Sequence, residues 1–379
     1  MKKISFSFLL SVATLISCSQ KKSEECYLLV GTYTSGKSEG VYVYNFNSTT
    51  GDFKQVSVAK NISNPSYLAV SPDEKYVYAV NEDADKAKGG GAVTAFSFNK
   101  QDGTLKELNS QPSGGDHPCY VATDKNGKWV TVGNYTSGTV SVFPINKDGS
   151  LNAIAANIKH EGSGVNSERQ EGPHVHSTVF SKDNSYLFVP DLGLDKIMIY
   201  AFNNKSGQMI PAGIPYVEVE PGAGPRHFEF SPNNKYAYLM EEMTGSISAY
   251  RYKGKGHLDL IQNISALPPD FIGTVGSADI HVSPDGKFLY ASNRGESNTI
   301  AIFAINQQSG ELVPVGHQST LGKTPRNFNF DPSGNFLLAA NQNSDNIVIF
   351  KRDKETGLLT DTGKKIEVGN PVCIKWINK

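Results

Sequence analysis

"PSYLAVSPDEKYVYAVNE", residues Pro65–Glu82, contains one complete structural statement. An apolar alternation follows the proline, as a strand with one buried face requires. Ser71-Pro72-Asp73 then reverses the chain, because proline pre-sets φ and Asp accepts a tight turn. "KYVYAV" follows as a second strand rich in β-branched and aromatic residues.

The same statement returns along the chain. "PCYVATDKNGKWVTVGNY" begins at Pro118, "PHVHSTVFSKDNSYLFVPDL" at Pro173 and "PRHFEFSPNNKYAYLMEE" at Pro225. "SADIHVSPDGKFLYASNR" begins at Ser277, "PRNFNFDPSGNFLLAANQ" at Pro325 and "PVCIKWINK" at Pro371. Successive starts differ by 53, 55, 52, 52, 48 and 46 residues. Each unit adds a third strand, as in "GAVTAFSF" and "NTIAIFAI", and a fourth after an Asp-Gly or Ser-Gly turn, as in "GTLKEL" and "GELVPV". Four antiparallel strands repeated at about 50 residues predict an all-β, seven-bladed β-propeller. The last unit supplies only its first strand, while "CYLLVGTY", "GVYVYNF" and "FKQVSVA" near the N-terminus supply the other three. The seventh blade is therefore expected to close by pairing the N- and C-terminal strands, which removes open sheet edges.

The expected organisation is a lipoprotein signal peptide at 1–18, a polar tether at 19–26 and a single propeller domain at 27–379. Lys2 and Lys3 precede an apolar run, Ile4 to Ile16, that is too short to span a bilayer. It ends in Leu15-Ile16-Ser17-Cys18, the form of a lipobox, so Cys18 is expected to carry lipid on the outer side of a bacterial membrane. Any membrane contact would run through that N-terminal lipid.

Thirty-six Lys and Arg against 37 Asp and Glu give a net charge of −1, without the basic excess of a nucleic-acid binder. The chain has four cysteines, with no CxxC, which argues against a disulfide framework or a Cys-based zinc site. No GxSxG nucleophile elbow is present, and Gly89-Gly90-Gly91 reads as a turn between strands rather than a dinucleotide loop.

In a propeller, the start of strand one and the end of strand two meet at one mouth of the central channel. This chain places His117, His174, His176, Arg226, His227, His281 and Arg326 on first strands or at their starts. At second-strand ends it places Glu82, Asn134, Asp191, Glu242, Arg294 and Gln342. Five of the eight histidines fall in this set, which predicts a ligand pocket at that mouth. His174-Val175-His176 has a known metal-ligand spacing. It is also what strand alternation produces, and no HExxH accompanies it.

At these residues the chain resembles the seven-bladed propeller lactonases, the group that includes bacterial 6-phosphogluconolactonase and the fungal carboxy-cis,cis-muconate cyclase. The resemblance covers Tyr27 to Lys379 and rests on "PHVHS", "VPDLGLDKI", "GPRHFEFSPNNKYAY" and "ADIHVSPDGKFLYASNR". It implies His176, Arg226, Glu242 and Arg294 as the catalytic set, with Glu241 and Glu242 competing by one residue for the carboxylate position. His174, His117, His227, His281, Arg326, Asp191 and Gln342 are then expected to bind substrate.

The implied activity is opening of a sugar (aldono)lactone. His176 or Glu242 would activate water. Arginines would hold an anionic group or the developing oxyanion. No cofactor and no metal are required, and a monomer is expected. Two alternatives use the same residues: a lipid-anchored propeller that binds a small anion or a protein without turnover, and a muconate-type cyclase. An exported chain would meet its lactone outside the cytosol, unlike the pathway enzyme.

Overall fold

The computed structural model describes residues 24–85 and 90–379. The expected signal peptide with Cys18, most of the tether, and Gly89 lie outside the described residues.

Seven four-stranded antiparallel sheets form the blades. The innermost strand of the closing blade is Pro371–Asn378, and it pairs with Glu25–Thr32. Gly40–Asn47 and Phe53–Lys60 complete that blade. The fold starts slightly earlier than the sequence suggests: Glu25 already lies in the strand, and Cys26 is in register with Asn378. Cys26, Cys119 and Cys373 are buried free thiols.

Each interface between blades is apolar. Leu29, Val43, Val77, Ala79 and Val93 belong to one buried cluster, and Met240, Ile247, Leu289 and Ala301 belong to another. Turn glycines fasten one blade to the next. Gly310 adopts φ +84° in the hairpin before an outer strand, and a Cβ there would lie 2.2 Å from the Tyr236 ring. Tyr238 of the preceding blade donates its hydroxyl to the Gly310 carbonyl at 3.0 Å. Tyr78 with Gly149 and Tyr290 with Gly357 repeat the contact at 3.0 and 2.6 Å.

The inner strands carry the feature that builds the site. Their ladders shift register between Pro118 and Tyr120, Pro225 and Phe228, Ser277 and Ile280, and Pro325 and Asn327. Such a bulge breaks alternation and re-aims side chains. Two consecutive residues, such as Arg226 and His227, can therefore both face the channel. One ring of equivalent positions holds Ser66, Cys119, His176, Arg226, Ala278, Arg326 and Val372. The next ring holds Tyr67, Tyr120, Ser177, His227, Asp279, Asn327 and Cys373.

Candidate active site

The upper ring and the second-strand ends enclose a cavity of about 420 Å³ at the channel mouth. Glu82, Cys119, Tyr135, Arg169, His176, Glu242, Arg294 and Arg326 are among its lining residues.

Glu242 is its centre. Arg226 donates from Nε to Oε2 at 2.8 Å, and Arg169 donates from Nη2 to Oε1 at 2.6 Å. Arg294 Nη2 lies 2.9 Å from Oε2, and His176 Nε2 lies 3.8 Å from it. Burial alone would raise this carboxyl. Arg294 and Arg226, with His176 and Arg169, outweigh burial and hold it well below the usual carboxylate range. It is therefore an ionised organiser of guanidinium groups and a poor proton acceptor.

The arginines are held from behind. Arg226 Nη1 donates to the Ala278 carbonyl at 2.7 Å. Arg294 donates from Nε to Gly276 O at 2.8 Å and from Nη2 to Ser277 O at 3.2 Å. Burial pulls Arg294 down to about 10, so it stays charged at neutral pH. Arg326 is different: among the described residues it has no ion pair, and its guanidinium sits 5.6 Å from the Tyr33 ring centroid. Glu82, which accepts hydrogen bonds from Tyr33 at 2.8 Å and from Ser66, is a further negative charge beside it.

His176 stands edge-on to Tyr135 and His227, with ring centroids at 5.3 and 5.5 Å. Burial first, then Arg226, depresses its pKa well below 6.5, so it is neutral at pH 7. Cys119 Sγ lies 3.7 Å from its Nδ1. Burial pushes the Cys119 thiol up, which leaves it a thiol rather than a nucleophilic thiolate.

The structure separates the remaining candidates. His174 turns away from the cavity, stacks on Tyr135 at 4.4 Å and contacts the Tyr135 carbonyl through Nδ1 at 3.1 Å. His174 and His176 therefore flank Tyr135 instead of converging. Among the described residues no group of three or more His, Cys, Asp or Glu side chains gathers as metal ligands. His117 pairs through Nδ1 with Thr136 Oγ1 at 2.8 Å, outside the cavity lining.

Asp191 is fully buried, contacting His160 Nδ1 at 2.6 Å and accepting from the His174 and Gly193 amides at 2.7 and 3.0 Å. That knot ties the His-x-His segment in place. Gln342 donates its backbone N–H to Thr324 O at 3.0 Å and is not among the lining residues. His227 and His281 lie deeper in the channel, hydrogen-bonded to Asp279.

One register decides the carboxylate. Glu241 pairs with Pro225 across the ladder and is bonded by Ser248 at 2.7 Å and by Asn263, inside the blade. Asn134, Asn293 and Asn341 occupy the same ladder position and donate to the Ser113, Ala266 and Thr320 carbonyls, each just past the outer strand of the preceding blade. The next residue is the one that reaches the mouth: Glu82, Tyr135, Glu242 and Arg294.

Arg169 was not legible. It comes from the loop at 160–173 that enlarges one unit and has no counterpart in the repeat. Asn166 positions that loop by accepting the Glu168 and Arg169 amides at 3.0 and 3.1 Å.

Fold and site together define a β-propeller with a cationic small-molecule pocket at the mouth of its channel. Residues 27–376 match the family described as "Lactonase, 7-bladed beta-propeller". The chain is 40% identical to the 6-phosphogluconolactonase of Bacillus subtilis, over 92% of this chain and 98% of the relative. It is 41% identical to the 6-phosphogluconolactonase of Formosa agariphila, over 90% and 96%. The solved structure of the periplasmic gluconolactonase of Pseudomonas aeruginosa superimposes with a TM-score of 0.89 at 38% identity, covering 93% of this chain and 99% of that one. The chain belongs to the seven-bladed β-propeller lactonase family.

Proposed function

We propose that the protein is a lactone hydrolase that opens a sugar (aldono)lactone bearing an anionic group to its acid. The reading rests above all on one arrangement. An ionised carboxylate is gripped by Arg169, Arg226 and Arg294 beside a neutral buried histidine, with a fourth arginine left without an ion pair among the described residues.

His176 takes a proton from water as that water attacks the lactone carbonyl carbon. Arg294, which lines the cavity, faces the negative charge that grows on the carbonyl oxygen, and Arg226 braces Glu242 from behind. When the ring C–O bond breaks, His176 returns the proton to the departing alkoxide. Four arginines against Glu82 and Glu242 leave an excess of two positive charges, and Arg326 receives the substrate's anionic group. An anionic substrate also lifts the depressed His176 back toward a useful pKa, because it cancels part of the arginine field. Glu242 positions guanidinium groups and does not take the proton. His174, His117, Asp191 and Gln342 support the walls.

Export and anchoring belong to the same proposal. Residues 1–18 act as a lipoprotein signal peptide, and Cys18 is acylated and tethers a monomeric propeller through the segment that follows it. The short apolar run and the Leu-Ile-Ser-Cys ending support this, as does the likeness to a periplasmic gluconolactonase. Mass spectrometry of the membrane fraction should find a lipidated chain beginning at Cys18, whereas an unmodified soluble chain beginning at Met1 refutes the anchor.

The activity is tested with a panel of aldonolactones, phosphorylated and not, followed by acid release. Turnover above the spontaneous rate is expected. Thermal stabilisation by a lactone without any acid release would make the protein a binder, and ring closure of a muconate-like diacid would make it a cyclase.

A further inference from the structure

Arg169 reaches the site on a loop outside the repeat, and its guanidinium is only partly committed to Glu242. We propose that Arg169 is a product subsite: it receives the carboxylate formed when the lactone opens, and so favours the opened acid over the closed ring. This rests on the lactone-hydrolase reading.

The arginines are unequally committed. Arg226 is buried and divides its hydrogen bonds between Glu242 and the Ala278 carbonyl. Arg294 is bound to Glu242 and to the Gly276 and Ser277 carbonyls. Arg169 uses Nη2 alone, donating to Glu242 Oε1 at 2.6 Å and to the Tyr135 hydroxyl at 3.3 Å. Among the described residues its Nε and Nη1 hydrogens meet no acceptor, which leaves them to donate to a ligand. Its side chain lines the cavity yet is 45% exposed, against 2% for Arg226 and 15% for Arg294, so it stands at the solvent side of the site.

Its loop is held independently of that ion pair. Gln170, the next residue, is fully buried and donates to Leu192 O and Asp195 Oδ1 at 2.9 and 2.7 Å. Asp195 also accepts the Gly222 and Gly224 amides at 2.7 and 2.9 Å. The Gly224 carbonyl in turn accepts the Glu242 amide at 2.8 Å. One buried aspartate thus ties the loop of Arg169 to the backbone of Glu242. A guanidinium placed in advance lowers the ordering cost of binding an anion.

The placement suits the product more than the substrate. Arg294 contacts Oε2 of Glu242 and Arg169 contacts Oε1, so the two guanidinium groups flank one carboxyl group. Arg294 faces the lactone carbonyl oxygen. The other oxygen of the new carboxyl group comes from water and exists only after attack. The acid then loses its proton to solvent and is ionised at neutral pH. A neutral lactone gains little from a second guanidinium, whereas a carboxylate gains a charge-assisted hydrogen bond.

The test compares product inhibition with substrate affinity in the full chain, for Arg169→Gln and the charge-retaining Arg169→Lys. Whichever of D-glucono-1,5-lactone and its 6-phosphate turns over is the substrate, and its own acid is the inhibitor. The ratio of Ki for the acid to KM for the lactone should rise by about 10- to 100-fold in Arg169→Gln, the worth of a hydrogen bond to a charged group, and by less in Arg169→Lys. A merely structural loss moves Ki and KM together. An unchanged ratio, or no inhibition of the wild type by its acid, overturns the subsite while leaving hydrolysis intact. If the glutamine variant fails to fold, the lysine variant decides by the same ratio. If neither lactone turns over in the wild type, the hydrolase reading fails, and calorimetric titration with D-gluconate and its 6-phosphate judges the subsite alone. Binding by the wild type that Arg169→Gln weakens by about tenfold or more sustains it; equal binding, or none by the wild type, overturns it as well.

Discussion

Arg226 donates from Nε to Oε2 of Glu242 at 2.8 Å, with the two residues only 1% and 5% exposed. The pair joins the start of a blade's inner strand to the residue just after its second strand. Its geometry depends on the bulge between Pro225 and Phe228. Removing the carboxylate leaves Arg226 and Arg294 buried without their counter-charge. Glu242→Gln should therefore destabilise the fold by about 3–5 kcal/mol, read from denaturant unfolding, and abolish turnover at temperatures where it remains folded.

His176 is the proposed proton acceptor, so His176→Asn should reduce kcat by about 10²- to 10⁴-fold with little change in KM. A variant with wild-type kcat would transfer the role to another group.

Arg326 has no ion pair among the described residues, so truncating it breaks no salt bridge there. Arg326→Ala should raise KM for a phosphorylated lactone by about 10- to 100-fold, the worth of a hydrogen bond to a charged group. A neutral lactone should be far less affected. Equal effects on both substrates would place the anion elsewhere.

Gly310→Ala tests the joint between blades. Alanine would have to adopt φ +84° with its Cβ 2.2 Å from the Tyr236 ring. A loss of about 1–3 kcal/mol is expected, visible as a lowered unfolding midpoint with an unchanged slope.

Two channel histidines give opposite pH dependences. Burial lowers His227 to about 4 from 6.5. Its contribution to stability is complete above 6.5 and is lost as pH falls toward 4, where the unfolded chain alone takes up the proton. Burial opposes charge on His281 too, but Asp279 and Glu229 outweigh it and raise it to about 10. Its contribution is complete below 6.5 and is lost as pH rises through 10. Stability should therefore peak near pH 6.5, and His281→Gln should flatten the alkaline limb alone.

Much of this architecture was legible because the repeat is local. Each Ser-Pro-Asp-type turn and each Tyr-rich strand is specified within a few residues, so the blade count and the closure by Pro371–Asn378 could be read directly. The channel mouth followed from where first strands begin. The sorting of side chains did not, for three physical reasons. The inner-strand bulges break alternation, so Arg226 and its neighbour His227 both face the channel and line one small chamber with His176. A one-residue step separates ladder positions such as Asp191 and Asn134 from mouth positions such as Glu242 and Arg294. Arg169 arrives on a loop outside the repeat, and only the fold brings it to Glu242.

The central claim is that this pocket hydrolyses a lactone through His176 and an arginine-bound Glu242. The most direct measurement is acid release from D-glucono-1,5-lactone and its 6-phosphate by the purified wild type, beside His176→Asn and Glu242→Gln under conditions where all three are folded. The account predicts wild-type turnover well above the spontaneous rate on at least one of the two, and near-background rates from both variants. Wild-type release no faster than the spontaneous reaction, or variants as active as the wild type, would contradict it.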